Sequence, residues 1–349
     1  MTYRLALIGF GTVGQGFAEI LRDRGEALGK QFGAWFRIVA VSDVNKGSVY
    51  DPDGLEPAAL LDAVQRGQSL ESLNASHKGW DALTTIDQAD AEVIAELSYT
   101  NLTTGEPGFK HVKAALESGK HVITSNKGPV ALRFPELLRL AAAKGVSIGV
   151  EGTVMSGTPT LALATELLAG AGVNKIQGIL NGTTNYILTR MGEGSDYPSA
   201  LAEAQAKGYA EADPTGDVEG IDAAGKVVIL SNLVLNEPLT MQEIERQGIS
   251  WLTADDIRRA AEAGEVWKLL GTLERTNSGV GASVKPTRLP KTHPLANIGG
   301  ATNAVTFTTE LLGDVTLIGP GAGKLETGYA LIADLLAIHR RHNYRHGSS

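Results

Sequence analysis

The chain has 349 residues, 43% hydrophobic and 20% charged, with a formal net charge of −8 and no cysteine. That length holds two domain cores. The acidic balance argues against a nucleic-acid partner, which needs a basic surface, and the missing cysteine removes disulfides, thiolate metal sites and cysteine nucleophiles. No apolar run reaches membrane-spanning length, so the expectation is a cytoplasmic protein with neither a membrane nor a nucleic-acid partner.

In chain order, YRLALIG (3–9) reads as a buried first strand. A glycine turn follows it directly and no cleavage-site pattern does, so it is not read as a signal peptide. A helix is predicted from about Thr12 to Arg24, with 24–35 as its extension, and FRIVAVSD (36–43) reads as a second strand ending in an acid. Residues 45–57, rich in Gly and Pro, read as a loop. Residues 58–79 are weakly helical, AEVIAELS (91–98) is a strand, FKHVKAALESG (109–119) an amphipathic helix and HVITSN (121–126) a strand. A helix over 134–144 and a strand over 146–152 follow. Strands alternating with helices imply a doubly wound parallel sheet.

After residue 155 the pattern changes. Residues 159–169 read as an apolar helix, and KIQGILNGTTNYIL (175–188) as a strand entering a Gly/Thr turn. Helices dominate from 186 to 270. Residues 271–289 and 303–321 then alternate with period two, as antiparallel strands do. A final helix covers 325–339, and the basic tail 340–349 reads as frayed, its histidines incidental. The division expected is residues 1–150 with 319–349 as one domain and 151–318 as an α+β second domain.

The turn after the first strand carries Gly9-x-Gly11-x-x-Gly14, with Thr12 and Val13 between the last two glycines. Such a turn, between a strand and a helix, brings backbone close to a pyrophosphate and aims a helix N-terminus at it. With the strand before, the helix after and Asp43 closing the next strand, the fold reads as Rossmann-type and the ligand as NAD or NADP. Asp43 suits the ribose diol of NAD, and Lys46 suits the 2′-phosphate of NADP. Ligands of such sheets bind at strand carboxyl ends. That places Ser98 and Thr100 of ELSYTN, and Ser125, Asn126 and Lys127 of HVITSNKGP, at the cofactor site.

The segment Gly208-Tyr209-x-Glu211-x-Asp213-Pro214-x-x-Asp217-x-x-Gly220-x-Asp222-x-x-x-Lys226 sets an acidic loop before the apolar helix GIDAAGKVVILSNLVL. It lacks the alternating ligands of a calcium loop. Asp222 and Lys226 lie one turn apart on one helix face. A buried ion pair does little for stability compared with apolar replacements, while a desolvated lysine serves as an acid or base. A structural pair at a domain seam and a catalytic pair both fit this local pattern.

The blocks GFGTVGQG, ELSYTN, HVITSNKGPVAL, EGTVMSGTP, LNGTTNYIL, GYAEADPTGDVEGIDAAGKVVIL, HPLANIGGATNAV and GPGAG follow one another in the order and spacing of homoserine dehydrogenases, which the chain resembles along nearly its whole length. The resemblance implies NAD(P)-dependent interconversion of L-homoserine and L-aspartate 4-semialdehyde, a small-molecule reaction of threonine and methionine biosynthesis. It makes Lys226 and Lys127 the active-site lysines, Glu211 and Asp222 the substrate carboxylates, and Asp217 an acid near the reacting centre. Gly182, Thr183 and Tyr209 join the substrate site, Gly323 of the GPGAG block joins the cofactor site, and Lys324 is either a phosphate contact or exposed. A sodium ion, held largely by main-chain carbonyls, would map to Glu151, Val154, Ser156 and Thr158. The resemblance also implies a homodimer built through the strands of 270–318, which makes the second domain a catalytic and dimerisation domain. No ACT or aspartate kinase segment is visible, so a monofunctional form is expected. Aspartate-semialdehyde dehydrogenase, which handles the same metabolite, needs a cysteine that this chain lacks, and a non-catalytic redox sensor has no use for two lysines backed by carboxylates.

Overall fold

In the computed structural model the described residues are 1–277 and 279–346, with side chains described as far as Asn343. The chain divides into two compact units, Met1–Gly157 with Gly323–Ser349, and Thr158–Ala322.

The first unit is built on a seven-stranded sheet. Its strands are β1 (Thr2–Ile8), β2 (Trp35–Asp43), β3 (Gly47–Tyr50), β4 (His77–Lys78), β5 (Val93–Glu96), β6 (His121–Thr124) and β7 (Ile148–Gly149), in the order β4-β3-β2-β1-β5-β6-β7. β2, β1, β5, β6 and β7 run parallel, while β3 and β4 add an antiparallel edge. Side chains alternate across a strand, so successive residues of β1 feed different cores. Leu5 and Leu7 pack with Phe17, Leu21 and Leu331, from helices Thr12–Phe32 and Lys324–His346. Ala6 and Ile8 pack with Val112, Leu116 and Leu137, from helices Gly108–Glu117 and Lys127–Lys144. A strand buried on both faces reads as a continuous apolar run, which is why β1 carries no polar alternation. The strand order reverses between β1 and β5, and a ligand of such a sheet sits beyond the strand ends at that point.

Two glycines are required there by geometry. Gly9 has φ +102°, and a Cβ on it would stand 2.5 Å from the Leu97 carbonyl oxygen after β5. Gly16 lies under the start of helix Lys324–His346, whose Gly328 would place a Cβ 2.7 Å from Phe17 N. Small residues let these two helix backbones touch.

The second unit has a six-stranded sheet of β8 (Val173–Ile179), β9 (Glu245–Arg246), β10 (Glu265–Thr276), β11 (Gly279–Pro290), β12 (Thr302–Thr309) and β13 (Gly313–Pro320), in the order β13-β12-β8-β10-β11-β9. All neighbours are antiparallel except β11 and β9. Helices Gly182–Gly192 and Ile221–Leu230 pack on it, Val227 and Leu180 crowding the backbone at Gly271 in β10. Among the described residues no helix is long and apolar enough to cross a membrane.

Several expectations are corrected. Residues 45–57 are not all loop, because the edge strand β3 pairs with β2 across the Asp43 turn. The helix expected over 134–144 begins at Lys127, so the Gly-Pro pair lies in its first turn, where proline is tolerated. The strand expected over 146–152 shrinks to Ile148–Gly149, and a 3₁₀ turn takes Glu151–Thr153. The helix expected over 159–169 is one short α-turn, Thr160–Ala162, widening to a π-turn over Leu163–Leu167. NGTTNY is a helix start rather than a free turn, with Asn181 as its N-cap. The last helix continues to His346, so only residues 347–349 of the tail lie outside the described residues.

Candidate active site

In the first unit the glycine turn is tied down at both ends. Gly9 N–H donates to the Ser42 carbonyl of β2 (2.8 Å). Phe10 N–H donates to Asp43 Oδ2 (2.7 Å), while Asp43 Oδ1 accepts from the N–H groups of Asn45 and Lys46 (2.9 and 3.0 Å). Asp43 therefore joins the loops that follow β1 and β2, and the Lys46 ammonium stands 3.8 Å from it. Helix Thr12–Phe32 opens at Gly11, its N-cap, and has no acid in its first turn. Its first backbone N–H groups at Thr12, Val13 and Gly14 have no intrahelical acceptor, and such a terminus is a ready anion site. Val44, beside Asp43, is almost fully exposed. These features fit the phosphates and adenosine end of a dinucleotide.

The ends of β5 and β6 are joined by a side chain that the sequence reading passed over. Glu96, the last residue of β5, is fully buried. Its Oε1 accepts from Ser98 N–H (3.2 Å) and from the Ser98 hydroxyl, and it lies 3.2 Å from His111 Nδ1. Its Oε2 accepts from Asn126 Nδ2 (3.0 Å) and Thr124 Oγ1 (3.5 Å). Asn126 Oδ1 accepts from Gly128 N–H (3.0 Å) and so caps the helix whose first residue is the half-buried Lys127. An acid closing a buried parallel strand was the available signal. Ser125 lies between β6 and that cap, whereas Thr100 is exposed on the loop after β5. Gly323 is exposed with φ +145°. Lys324 is committed to Glu19 (2.6 Å).

In the second unit Lys226 is only 7% exposed. Its ammonium donates to the Leu180 carbonyl (2.6 Å) and pairs with Asp222 Oδ2 (2.8 Å). Asn181 Nδ2 donates both to Asp222 Oδ2 (3.1 Å) and to Asp217 Oδ1 (2.6 Å), holding the two carboxylates on one amide. Asn181 Oδ1 meanwhile caps helix Gly182–Gly192 through Thr184 N–H (2.9 Å). Burial, and next the charge of Asp222, push the Asp217 carboxyl above its ordinary value; hydrogen bonds from Asn181 and Thr183 and the nearby Lys226 oppose this. Thr183 donates its hydroxyl to the Tyr209 carbonyl (2.6 Å), and the half-exposed Tyr209 ring packs on Tyr186 with centroids 5.0 Å apart. The fold thus gathers Asn181, Asp217, Asp222 and Lys226, with Gly182, Thr183 and Tyr209 alongside. Glu211 stays outside this network, on the exposed loop, and its carboxylate makes no hydrogen bond or ion pair among the described residues. Asn181 was missed by the sequence reading, although its place before GTT is that of an N-cap. His293 has a structural contact, accepting from Leu295 N–H (3.1 Å).

The four candidate sodium residues, Glu151, Val154, Ser156 and Thr158, lie on the chain segment that follows β7. The Thr158 carbonyl already accepts from the Thr160 N–H (2.6 Å) and hydroxyl (3.1 Å), and the Glu151 carbonyl from Val154 N–H (3.4 Å). Met155 and Ser156, both at φ +55°, turn the backbone between them, and the Ser156 hydroxyl lies 2.8 Å from that of Thr327. No cluster of three or more histidine or acidic ligands occurs among the described residues.

Residues 9–151 match the homoserine dehydrogenase NAD-binding domain, and residues 159–336 match the homoserine dehydrogenase family. The chain is 44% identical to the NAD(+)-dependent homoserine dehydrogenase of Pseudomonas canavaninivorans, over 97% of this chain and 96% of that protein. It is similar in structure to a homoserine dehydrogenase from Thiobacillus denitrificans, with a TM-score of 0.85 and 34% identity, over 99% of this chain and 74% of the other. It is also similar to a hyperthermophilic archaeal homoserine dehydrogenase mutant in complex with NADPH, with a TM-score of 0.85 and 29% identity, over 98% of both chains.

The raised Asp217 carboxyl has a measurable consequence. The folded protein keeps a proton there that the unfolded chain has already lost, so stability falls as pH rises from the ordinary value of 3.8 through the raised one. Asp217→Asn removes this dependence and keeps the acceptor for Asn181. The unfolding midpoint of the variant should therefore gain on that of the native protein as pH is raised from 3.8 toward neutrality. A difference independent of pH would count against a raised carboxyl.

Proposed function

The chain belongs to the homoserine dehydrogenase family, and from that premise we propose that Lys226 is the acid and base of its reaction. The protein is an NAD(P)-dependent oxidoreductase that interconverts L-homoserine and L-aspartate 4-semialdehyde. The nicotinamide, when bound, supplies or accepts the hydride at the substrate carbon. What remains for the chain is the proton on the substrate oxygen, and the orientation of an amino acid whose own ammonium and carboxylate must be held.

The observation that carries the assignment is the set of contacts around Lys226. An ammonium has three donors. Two are directed at the Leu180 carbonyl and Asp222, which leaves one for a substrate oxygen. In the reductive direction the ammonium, held by Asp222, polarises the aldehyde oxygen and gives its proton to the alkoxide as hydride arrives at carbon. In the oxidative direction the neutral amine takes the hydroxyl proton as hydride leaves. Asp222 and Asn181 hold the amine in one orientation through both states. Lys127, first residue of the helix capped by Asn126, is assigned the supporting role in this proton transfer. The open N–H groups of Gly182 and Thr183 at a helix start suit the substrate carboxylate. Asp222 and the exposed Glu211 are the acids assigned to the substrate ammonium, with Asp217 behind them.

Two further readings rest on particular observations. NAD⁺ is preferred to NADP⁺, because a carboxylate, Asp43, closes β2 where a 2′-phosphate would add like charge, and the relative from Pseudomonas is named NAD(+)-dependent. The archaeal relative that carries NADPH is less similar. A homodimer forms through the six-stranded sheet of the second unit, whose β12–β13 turn exposes Leu311 and Leu312 and whose edge strand β13 exposes Ile318.

Purified protein should reduce NAD⁺ when L-homoserine is added. Lys226→Ala should lower kcat by roughly 10²–10⁴-fold while the Kd for reduced cofactor, read by nicotinamide fluorescence, stays within about twofold; a variant keeping most of its kcat removes Lys226 from the role. For the cofactor, kcat/KM should favour NAD⁺ by about tenfold or more, and parity between the two would reject the preference. Light scattering of the eluting protein should give about twice the chain mass of 36.6 kDa, and a mass of one chain rejects the dimer.

A further inference from the structure

We propose that Glu96 is a positioning residue for the cofactor: its buried carboxylate presets Ser98 and Asn126, and through the Asn126 cap the start of the helix that carries Lys127. This rests on the reading of Ser98 and Asn126 as cofactor contacts.

Glu96 stands at the carboxyl end of β5, beside the end of β1 where the order of strands reverses. A buried carboxylate is costly unless its oxygens are hydrogen-bonded. Here both are engaged, and by groups from three successive parts of the chain. Ser98 comes from the loop after β5, His111 from helix Gly108–Glu117, and Thr124 and Asn126 from β6 and the turn beyond it. The Ser98 hydroxyl and the Asn126 amide are thereby each held in one rotamer before any ligand arrives. Asn126 has no second choice of orientation, because its Oδ1 is committed to Gly128 N–H while its Nδ2 reaches Glu96 and, at 3.3–3.4 Å, the carbonyls of Tyr99 and Ser98. There is no slack around it either: a Cβ at Gly108 would lie 2.5 Å from Asn126 Nδ2 and 3.2 Å from Glu96 Oε2. A site held in this way loses less side-chain freedom when the cofactor binds. Stability alone is a poor reason for the arrangement, since an apolar residue would bury at the end of β5 without needing these donors.

The exchange Glu96→Gln keeps the size and replaces one oxygen by an NH₂ group. Whichever way the amide turns, that group faces a donor that cannot accept, either Asn126 Nδ2 or the Ser98 backbone N–H. The Kd for reduced cofactor should rise by about tenfold, with the KM for homoserine within about twofold of native. A merely structural role would lower the unfolding midpoint and leave the Kd of the folded fraction unchanged. A double-mutant cycle adds the specific signature: Ser98→Ala should weaken cofactor binding in the native background and add little once Glu96→Gln is present. A folded Glu96→Gln protein with a Kd within twofold of native, or full additivity in the cycle, overturns the proposal. Should Glu96→Gln not fold, Glu96→Asp is read by the same Kd, and an unchanged value overturns the proposal equally. A native-like Kd for Ser98→Ala instead defeats the cofactor-site reading, and the proposal with it, whereas a Ser98→Ala effect without a Glu96→Gln effect defeats the proposal alone.

Discussion

Lys226 puts an ammonium inside an apolar helix, and the second unit is arranged around satisfying it. An unpaired buried charge is too costly to persist, so acceptors have to be brought to it. One comes from its own helix, Asp222 one turn earlier. The other is the Leu180 carbonyl at the end of β8, 46 residues away in the chain. Meeting both fixes the helix Ile221–Leu230 against the end of that strand. The next residue, Asn181, then donates to Asp222 and Asp217 and starts the helix Gly182–Gly192. One charge requirement thus links a strand end, two helix starts and the acidic loop.

The same logic recurs in the first unit with the sign reversed. Two carboxylates, Asp43 and Glu96, close β2 and β5, and each collects donors from neighbouring loops. Asp43 sets the glycine turn against the loop after β2, and Glu96 sets the loop after β5 against the turn after β6. The helix start at Gly11 is treated differently. It has neither a capping side chain nor an acid in its first turn, so its N–H groups and dipole remain directed at whatever anion binds there.

Much of this was legible in the residues. The alternation of strands with helices marks the doubly wound sheet, and period two marks the antiparallel strands from residue 271 onward, because both patterns are local consequences of burial; β9 and the first half of β10, residues 265–270, instead fall in the stretch read as helical. The glycine motif and the Asp222–Lys226 spacing are legible for the same reason: each is a relation between residues a few positions apart. The misreadings are also physical. Gly and Pro over 45–57 signal a loop, yet β3 forms because the edge of β2 offers it a partner. Gly-Pro after Lys127 signals a turn, yet Asn126 caps a helix there and proline is harmless within its first turn. The strand expected over 146–152 is cut short because only two residues pair with β6.

Glu96, Asn181 and Leu180 show where local pattern ends. An acid closing a strand, an asparagine before a glycine and a leucine at a strand end carry no signal of function by themselves. Their roles come from partners 15 to 46 residues away. The sequence by itself determined the sheet types, the order of the elements, the family, and which lysines and acids were worth attention, since all of these follow from short-range spacing and motif order. The tertiary structure alone decided which carbonyl holds Lys226, that one amide keeps Asp217 and Asp222 together, that Glu211 stands apart from them, and that a buried carboxylate joins β5 to β6. Those pairings depend on strand register and on where separate loops meet, and desolvation makes each of them obligatory only once the chain has closed around it.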